Sequence, residues 1–364
     1  MNKNIKIILW IIFIGLIALA SYSLRPMKNI QNSEVENTVD INSDLIIVGF
    51  SQLGSESDWR TANTKSIQNA LTKKNGFSLI FSNGRQSQEN QIKDVRSFIF
   101  QEVDYIVIAP VTETGWDTVL KEAREAGIPV IIVDRMINTD DESLYVACVG
   151  TDKYAEGEKA GIWLEKYLEE QKSEENVTQE NESLSEETAS QEENGLNTEV
   201  INIVVLEGTP NSTAQIGRSK GFEDIARKHE NWNILAQDSG DFTKAKGKEV
   251  MAKYLQEYDD IDILVSQNDD MTFGAIEAIQ EAGLTCGVNG KIKVISFDAV
   301  SEAFDRMEDG LINVDIECNP LQGQLIAELI ERLEKGKKVD KVSYVEEKVF
   351  KAENAGIERI GRSY

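Results

Sequence analysis

Apolar strand-like runs alternate with helical segments along most of this 364-residue chain. The runs at residues 45–50 and 105–109 are continuous, as expected for parallel strands that are covered on both faces. Each run is followed by a segment with helical spacing, and this order of elements predicts a parallel sheet with right-handed crossovers. The pattern pauses after residue 134 and restarts near residue 155. The sequence therefore predicts an α/β fold with two doubly wound lobes.

The C-terminal part of the chain suits neither lobe alone. A long helix is predicted at residues 322–335, and a last strand is predicted near residues 342–349. We expect the chain to cross between the lobes more than once. The predicted bounds are residues 45–148 with 319–341 for the N-terminal lobe, and residues 149–318 with 342–364 for the C-terminal lobe.

An acidic segment interrupts the pattern at residues 171–198. It holds eight glutamates and one lysine among Ser, Asn, Gln and Thr, with almost no apolar residue. Such a composition does not bury enough surface to offset the entropy lost on ordering. We expect a disordered acidic insertion in the C-terminal lobe.

The first residues carry information about location. Lys3 and Lys6 precede the apolar run Ile7–Ala20, which is typical of a signal peptide. The stretch 5–24 also approaches the length of about 20 residues that spans a bilayer, so an uncleaved anchor is the alternative. We expect residues 1–24 to be a signal peptide or membrane anchor and residues 25–44 to be a linker, with the remainder exported.

Composition excludes several classes of function. The net charge of −25 argues against nucleic acid as a partner. The single histidine and the three cysteines, Cys148, Cys286 and Cys318, fit no metal or redox pattern. We expect no metal, no cofactor and no catalytic residue. Whether the cysteines are buried thiols or include a disulfide stays open.

Four polar segments follow predicted strands, at residues 56–60, 134–135, 268–270 and 297–298. Ligands of open α/β sheets bind beyond the carboxyl ends of the strands, so these segments are expected to converge. Sugar hydroxyl groups both donate and accept, which a mixture of carboxylates, amides and guanidinium groups can match. An aromatic face can cover the apolar side of a sugar ring. The sequence therefore predicts a site for a small sugar.

The predicted ligand-binding residues combine these segments with nearby aromatic and charged side chains: Glu56, Ser57, Asp58, Trp59, Arg60, Asp134, Arg135, Arg218, Phe242, Asn268, Asp298 and Glu317. Simpler roles are open to some of them. Trp59 could pack as a core side chain, and Asp134 with Arg135 could form a surface ion pair of under ~1 kcal/mol. Asp269 or Asp270 could only cap the following helix.

Several longer stretches make a family resemblance specific. They include VGFSQLGSES-WR (48–60), SGDFTKAKGKEVM (239–251) and NDDMTFGAIEAI (268–279). Here the chain resembles the periplasmic sugar-binding proteins of the ribose/galactose type, which serve ABC importers, and most of all their galactofuranose-binding members. The resemblance implies the type I fold of periplasmic binding proteins, with two Rossmann-like lobes joined by a three-strand hinge. It also implies that the lobes close on a monosaccharide.

Carried over by position, the resemblance assigns sugar contacts to both lobes. Glu56, Trp59, Arg60, Asp134 and Arg135 would contact the sugar from the first lobe, and Arg218, Asn268 and Asp298 from the second. Phe242 and Glu317 match weaker positions. Asp58 stands where the family pattern has glycine, which would add a charge at the lip of the pocket.

The resulting hypothesis is a monomeric receptor that captures a galactofuranose-like or related monosaccharide and delivers it to the permease subunits of an ABC importer. The alternative is a sugar sensor of the same fold that signals to a membrane kinase or chemoreceptor. A glycosidase using Asp134, Asp298 and Glu317 is disfavoured, since their contexts suit ionised hydrogen-bond acceptors. A repressor is excluded, because a hydrophobic segment stands where a DNA-reading module would be needed.

Overall fold

The computed structural model describes the backbone of residues 45–183 and 200–364, and the side chains of residues 45–173 and 200–364. The predicted signal peptide or anchor, the linker as far as Asp44, and residues 184–199 lie outside the described residues. In the described part of the chain, no helix combines the length and apolar character needed to cross a bilayer.

Strands and helices alternate as predicted. The strands are β1 (Ile46–Gln52), β2 (Phe77–Asn83), β3 (Tyr105–Ile108), β4 (Val130–Asp134), β5 (Ala147–Gly150), β6 (Ile201–Glu207), β7 (Trp232–Ser239), β8 (Ile263–Ser266), β9 (Lys293–Asp298), β10 (Val314–Glu317), β11 (Val342–Tyr344) and β12 (Val349–Lys351). The helices are α1 (Asp58–Ala70), α2 (Gln88–Phe100), α3 (Asp117–Glu125), α4 (Lys153–Ser183), α5 (Thr213–Ala226), α6 (Lys244–Glu257), α7 (Asp269–Glu281), α8 (Ser301–Glu308), α9 (Gly323–Glu334) and α10 (Ala355–Glu358).

The first lobe is built on a parallel sheet with the strand order β11-β5-β4-β3-β1-β2. Alternate residues of one strand enter different cores, as the two-residue period of a strand requires. Tyr105 and Val107 pack with α1 and α9, whereas Ile106 and Ile108 pack with α2 and α3. Burial on both faces explains the continuous apolar run of β3.

The second lobe repeats this plan with the order β12-β10-β9-β8-β6-β7. Its strands are parallel except β12, which runs antiparallel to β10. Ile203 and Val205 pack with α4, while Val204 and Leu206 face the core that contains α6 and α7. The predicted two-lobed α/β fold of the type I periplasmic binding proteins is confirmed.

Three connections join the lobes, and they correct the predicted bounds. The chain leaves the first sheet after Gly150, returns between Glu317 and Gly323, and leaves again between Tyr344 and Val349. The predicted last strand near 342–349 is in fact two short strands in different sheets, so residues 342–344 belong to the first lobe. An apolar pattern predicts a strand but does not indicate the sheet it joins.

The acidic segment also differs from the prediction over part of its length. Helix α4 continues to Ser183, so residues 171–183 are helical. Glu, Gln and Lys are good helix formers, and the buried part of α4 provides the nucleus from which the helix extends. Low hydrophobicity therefore did not exclude helical backbone at residues 171–183. The rest of the predicted insertion lies outside the described residues.

Candidate functional site

A polar cavity lies between the lobes at the carboxyl ends of their strands. Its walls are formed by Glu56, Ser57, Trp59, Arg60, Asp134, Arg135, Lys153, Ala214, Arg218, Phe242, Asn268, Asp298 and Cys318. The free space of the cavity together with its mouth is about 280 Å³.

The N-terminus of α1 positions the first wall. The hydroxyl of Ser57 caps the helix by accepting from the Arg60 backbone N–H at 3.1 Å. This cap fixes the first turn, from which the Arg60 side chain reaches into the cavity. Its Nε donates to Glu56 Oε1 at 3.1 Å, and its Nη2 donates to Asp134 Oδ2 at 2.7 Å. The guanidinium group thus links two predicted segments that are 74 residues apart.

A left-handed residue turns both members of the Asp134–Arg135 pair toward the cavity. Asp134 has a φ of 64°, a conformation that Asp tolerates better than most residues. Neighbouring residues of a straight strand would point to opposite faces, so the turn at the end of β4 is needed to bring both inward. Arg135 Nη1 donates to the Val111 carbonyl at 3.0 Å, and its guanidinium carbon lies 5.4 Å from the centre of the Phe242 ring. Asp134 and Arg135 are both buried, so they do not form a surface ion pair.

Arg218 organises the second wall. Its Nε donates to Glu156 Oε2 at 2.6 Å, and its Nη2 donates to Asp298 Oδ1 at 3.0 Å. These bonds depend on the close approach of α4 and α5. A side chain at Gly157 or Gly221 would collide with the backbone of the opposite helix, so glycine is required at this crossing.

Asn268 and Phe242 complete the second wall. Asn268 Oδ1 caps α7 by accepting from the Met271 backbone N–H at 3.0 Å, and its Nδ2 donates to the Phe242 carbonyl at 3.3 Å. Asn268 therefore has a structural role in addition to lining the cavity. The Phe242 ring packs against Gly208, where any side chain would overlap the ring.

Trp59 is shared between the lobes. It belongs to α1 of the first lobe, yet its ring is 3% exposed and packs with the core of the second lobe. Its Nε1 donates to the Cys318 carbonyl in a connection between the lobes. The Arg60 guanidinium carbon lies 4.7 Å from the ring centre, and Lys153 Nζ lies 5.6 Å from it. Trp59 therefore both lines the cavity and joins the two lobes.

Two predicted residues lie elsewhere. The Asp58 side chain is exposed and lines a separate surface groove, although its backbone N–H donates to Asp270 Oδ2 at 3.1 Å. As the first residue of α1, Asp58 is directed outward by the turn that brings Arg60 inward. Glu317 anchors the C-terminal segment, where it accepts from Arg362 Nη1 at 2.9 Å and from the Tyr364 hydroxyl at 2.8 Å.

The sequence interpretation missed Lys153, Ala214 and Cys318. Lys153 Nζ lies 3.3 Å from Asp134 Oδ1, 3.3 Å from Glu156 Oε1 and 2.9 Å from Cys318 Sγ. Lys153 begins α4 just after the first connection between lobes, and Cys318 begins the second connection. Neither Lys153 nor Cys318 belongs to one of the four polar segments recognised in the sequence, so only the position of the crossings could have indicated them.

Burial and mutual charge set the ionisation of the cavity. Burial alone would raise the pKa of Asp134, but Arg60, Lys153 and Arg135 hold it below its usual range. Burial lowers the pKa of Arg135 to about 10, assisted by repulsion from Arg60. Burial raises the pKa of Asp298 well above its usual range, despite the attraction of Arg218. Burial and the surrounding cations thus act in opposite directions on both carboxyl groups, and the cations prevail at Asp134 whereas burial prevails at Asp298.

Three buried polar atoms around the cavity have no hydrogen-bond partner among the described residues: Glu56 Oε2, Arg60 Nη1 and Arg135 Nε. Leaving a buried polar atom unpaired costs about 1–3 kcal/mol, and more for a charged group. One acceptor and two donors therefore remain for a ligand on the first wall.

A group of possible metal ligands lies beside the cavity. Oxygen and sulfur atoms of Glu156, Cys318 and Glu347 lie within 4.8 Å of one another. However, Glu156 is already bonded to Arg218, and Lys153 contacts both Glu156 and Cys318. These cations neutralise the group, so its arrangement is that of an ion-pair network rather than a metal site.

Lys153→Met is expected to weaken ligand binding about tenfold, because Asp134 and Glu156 each lose a buried charge partner. Lys166→Met is the matched control, since Lys166 lies on the same helix but is exposed. Titration calorimetry of both variants measures the effect. Equal affinities for the two variants would show that Lys153 does not contribute to ligand binding.

Comparison with known proteins gives the family. The periplasmic binding protein domain matches residues 48–338. Galactofuranose-binding protein YtfQ of Escherichia coli (strain K12) is 40% identical over 296 residues, which are 80% of this chain and 82% of that protein.

Solved structures agree with this relationship. The periplasmic component of the arabinose ABC transporter from Shewanella sp. ANA-3, bound to α- and β-L-arabinofuranose, has a TM-score of 0.75 and 39% identity, covering 86% of this chain and 94% of that chain. A Mycobacterium smegmatis protein in complex with β-D-fucofuranose has a TM-score of 0.75 and 37% identity, covering 86% and 93%. The chain therefore belongs to the periplasmic binding protein family, whose members bind substrates for transport and are not enzymes.

Proposed function

We propose that this protein captures a monosaccharide in its furanose form between the two lobes and delivers it to an ABC importer. The observation that carries the proposal is the cluster of buried, unpartnered atoms of Glu56, Arg60 and Arg135 in the interlobe cavity. The relatives named above bind galactofuranose, arabinofuranose and fucofuranose, which supports a furanose ring.

Charge-assisted hydrogen bonds are expected to dominate the affinity. Arg60 Nη1 and Arg135 Nε can donate to ring or hydroxyl oxygens, while Glu56 Oε2 can accept from a hydroxyl group. Hydrogen bonds to charged groups contribute about 1.5–3 kcal/mol each. From the second wall, Asp298 and Asn268 supply further oxygens and an amide to the same cavity.

Binding is proposed to require opening and closing of the lobes. The lobes are joined across the cavity by Lys153 with Asp134, by the Asp58 N–H with Asp270, and by Met136 with Thr213, whose hydroxyl accepts from the Met136 N–H at 2.9 Å. These bonds form only when the lobes are together. A sugar that contacts both walls would favour this arrangement through its differential affinity for it.

The location and partners follow from the same proposal. The protein would act outside the cytoplasm, with residues 1–24 serving as a signal peptide or, through residues 5–24, as an anchor. It would work as a monomer and present both lobes to permease subunits. The lobe boundaries proposed now are residues 45–150 with 319–344 for the first lobe, and 151–318 with 345–364 for the second.

A sugar panel tests the proposal. Purified protein is heated with methyl β-D-galactofuranoside, L-arabinose, D-fucose, D-ribose, fructose or myo-inositol, and the unfolding temperature is recorded. At least one furanose-forming sugar is expected to raise it, because a ligand that binds only the folded protein stabilises it. If none of these sugars shifts unfolding or gives heat on titration, the receptor hypothesis fails.

Sugar binding is expected to protect one cysteine selectively. The Cys318 thiol lines the cavity, and burial raises its pKa well above the usual value, so the closed lobes make it unreactive. Cys148 and Cys286 are buried within single lobes and serve as internal controls. Mass spectrometry after iodoacetamide treatment should show slower alkylation of Cys318 alone when sugar is present. Equal protection of all three thiols would indicate general stabilisation instead of closure.

A further inference from the structure

Two buried carboxyl groups lie directly behind Asp298, outside the cavity. Asp269 is the first residue of α7, and Asp315 lies in the middle of β10; both are 0% exposed. Neither side chain lines the cavity. Asp315 is paired in register with Ser296 of β9, and the Ser296 hydroxyl donates to Asp269 Oδ1 at 2.6 Å. The two acids therefore meet beneath the end of β9.

Their hydrogen bonds converge on the loop that carries Asp298. Asp315 Oδ1 accepts from the Ala299 N–H at 3.1 Å, and Asp269 Oδ2 accepts from the Val300 N–H at 2.8 Å. This loop is strained, because Asp298 has a φ of 108° and Ala299 has a φ of 58°. Such conformations cost about 1–3 kcal/mol each and persist only where the surroundings impose them. The two acids supply that constraint.

The second oxygen of Asp315 indicates how the pair is held together. Asp315 Oδ2 is buried and receives no hydrogen bond from any other described group. The Asp269 and Asp315 side chains lie within hydrogen-bonding reach of each other, and such a bond between two carboxyl groups needs a proton on one of them. Two adjacent ionised carboxylates in a buried site would repel strongly, so one proton between them is the favourable arrangement.

We propose that Asp269 and Asp315 share a proton and act as positioning residues that hold the Asp298 carboxyl in the sugar cavity. The inference rests on the proposed function, since it concerns the affinity of the same cavity. Its consequence is that ligand binding is linked to protons at a pair of groups that do not touch the ligand.

The direction of the linkage follows from the surroundings of the pair. Burial raises the pKa of Asp315 to about 7 and that of Asp269 well above its usual range. Asp298 faces the pair from β9, and Arg362 faces it from the C-terminal segment, donating through Nη2 to the Ala299 carbonyl at 2.8 Å. Arg218, Lys153 and Glu156 act on Asp298 from the cavity side.

Because raised pKa values favour the protonated forms, the constraint is fully present at acidic pH. The pair loses its protons as the pH rises through and beyond the raised pKa of Asp315, about 7, and the constraint weakens with that loss. Sugar affinity should therefore fall as pH rises above neutrality. The change belongs to the pair and not to either residue alone.

The variants Asp315→Asn and Asp315→Leu distinguish a positioning role of Asp315 from a contribution to general stability. Asp315→Asn keeps an oxygen for the Ala299 N–H and offers a permanent donor to Asp269. This variant should therefore bind sugar with near-normal affinity, and its affinity should not fall as the pH rises. Asp315→Leu offers neither and should weaken binding about tenfold or more. Asp259→Asn, an exposed acid in the loop before β8, is the control and should behave as the wild type.

The experiment measures the dissociation constant from pH 5.5 to 9.5 by titration calorimetry, using methyl β-D-galactofuranoside and L-arabinose. An infrared difference spectrum, wild type minus Asp315→Asn, of the sugar-free proteins at pH 7 tests for the carbonyl stretch of the protonated pair, because the bands of other protonated carboxyl groups cancel in the difference. Affinity that is independent of pH, or unchanged in Asp315→Leu, would overturn the positioning role. If the wild type binds neither sugar, the proposed function fails for these two sugars. The infrared measurement is independent of sugar binding, so an absent signal would refute the shared proton in either case.

Discussion

Arg60→Met is expected to reduce sugar affinity by more than about 100-fold and to lower the free energy of unfolding by about 3–5 kcal/mol. Removing one partner of a buried ion pair leaves the other charge uncompensated, which accounts for a loss of this size. Arg60 is 3% exposed and bonds both Glu56 and Asp134, so two carboxylates lose their partner at once. The same change removes the unpartnered Nη1 that is proposed to bind the sugar.

Arg96→Met is the matched control. Arg96 also forms a two-point ion pair with one glutamate, at 2.7 and 2.8 Å, but both side chains are partly exposed. Exposed pairs contribute about 0–1 kcal/mol, so this variant should keep its affinity and almost all of its stability. Urea unfolding and titration calorimetry measure both variants. Comparable losses for Arg60→Met and Arg96→Met would show that burial in the cleft is not what matters.

Gly221→Ala is expected to destabilise the protein by about 1–3 kcal/mol and to weaken sugar binding about tenfold, although alanine normally favours a helix over glycine by about 1 kcal/mol. The new methyl group would lie far inside van der Waals contact with the Tyr154 carbonyl and 2.7 Å from the Glu158 nitrogen. Neither backbone atom can move unless α4 and α5 separate. That separation would break the 2.6 Å bond between Arg218 and Glu156, which orients Arg218 in the cavity.

Gly356→Ala provides the comparison for this change. Gly356 is in the short helix α10, and an added methyl group there meets only the end of the flexible Glu308 side chain. Its stability should stay the same or increase, and its affinity should not change. Should Gly221→Ala match this control in thermal unfolding and calorimetry, the helix crossing would have no part in positioning Arg218.

The fold followed from the sequence because its strands are buried on both faces. β3 and the first three residues of β8 form such apolar runs, and β8 is followed by the polar segment at residues 268–270. That regularity placed Arg60, Asp134 and Asn268 at one cavity before any geometry was known. Arg218 was predicted from its place at the start of a helix and again from the family resemblance, since its position inside α5 gives no strand-end signal.

The predicted and observed site residues differ where the direction of a turn or a partner distant in sequence decides the position of a side chain. Asp58 and Trp59 are adjacent, yet the first turn of α1 directs one to solvent and the other into the core of the opposite lobe. Glu317 ends β10 as Asp298 ends β9, but Arg362 and Tyr364 from the C-terminus occupy it. Lys153 enters the cavity because a lobe crossing ends there. Such long-range partners cannot be read from local sequence patterns.

Titration calorimetry of the wild type and Arg60→Met with methyl β-D-galactofuranoside and L-arabinose tests the central claim most directly. The interlobe cavity predicts that each wild-type chain binds a single sugar and that the variant binds the same sugar more than about 100-fold more weakly. Binding of undiminished affinity to Arg60→Met would contradict it, because the sugar would then bind outside the cleft that Arg60, Asp134 and Arg218 enclose.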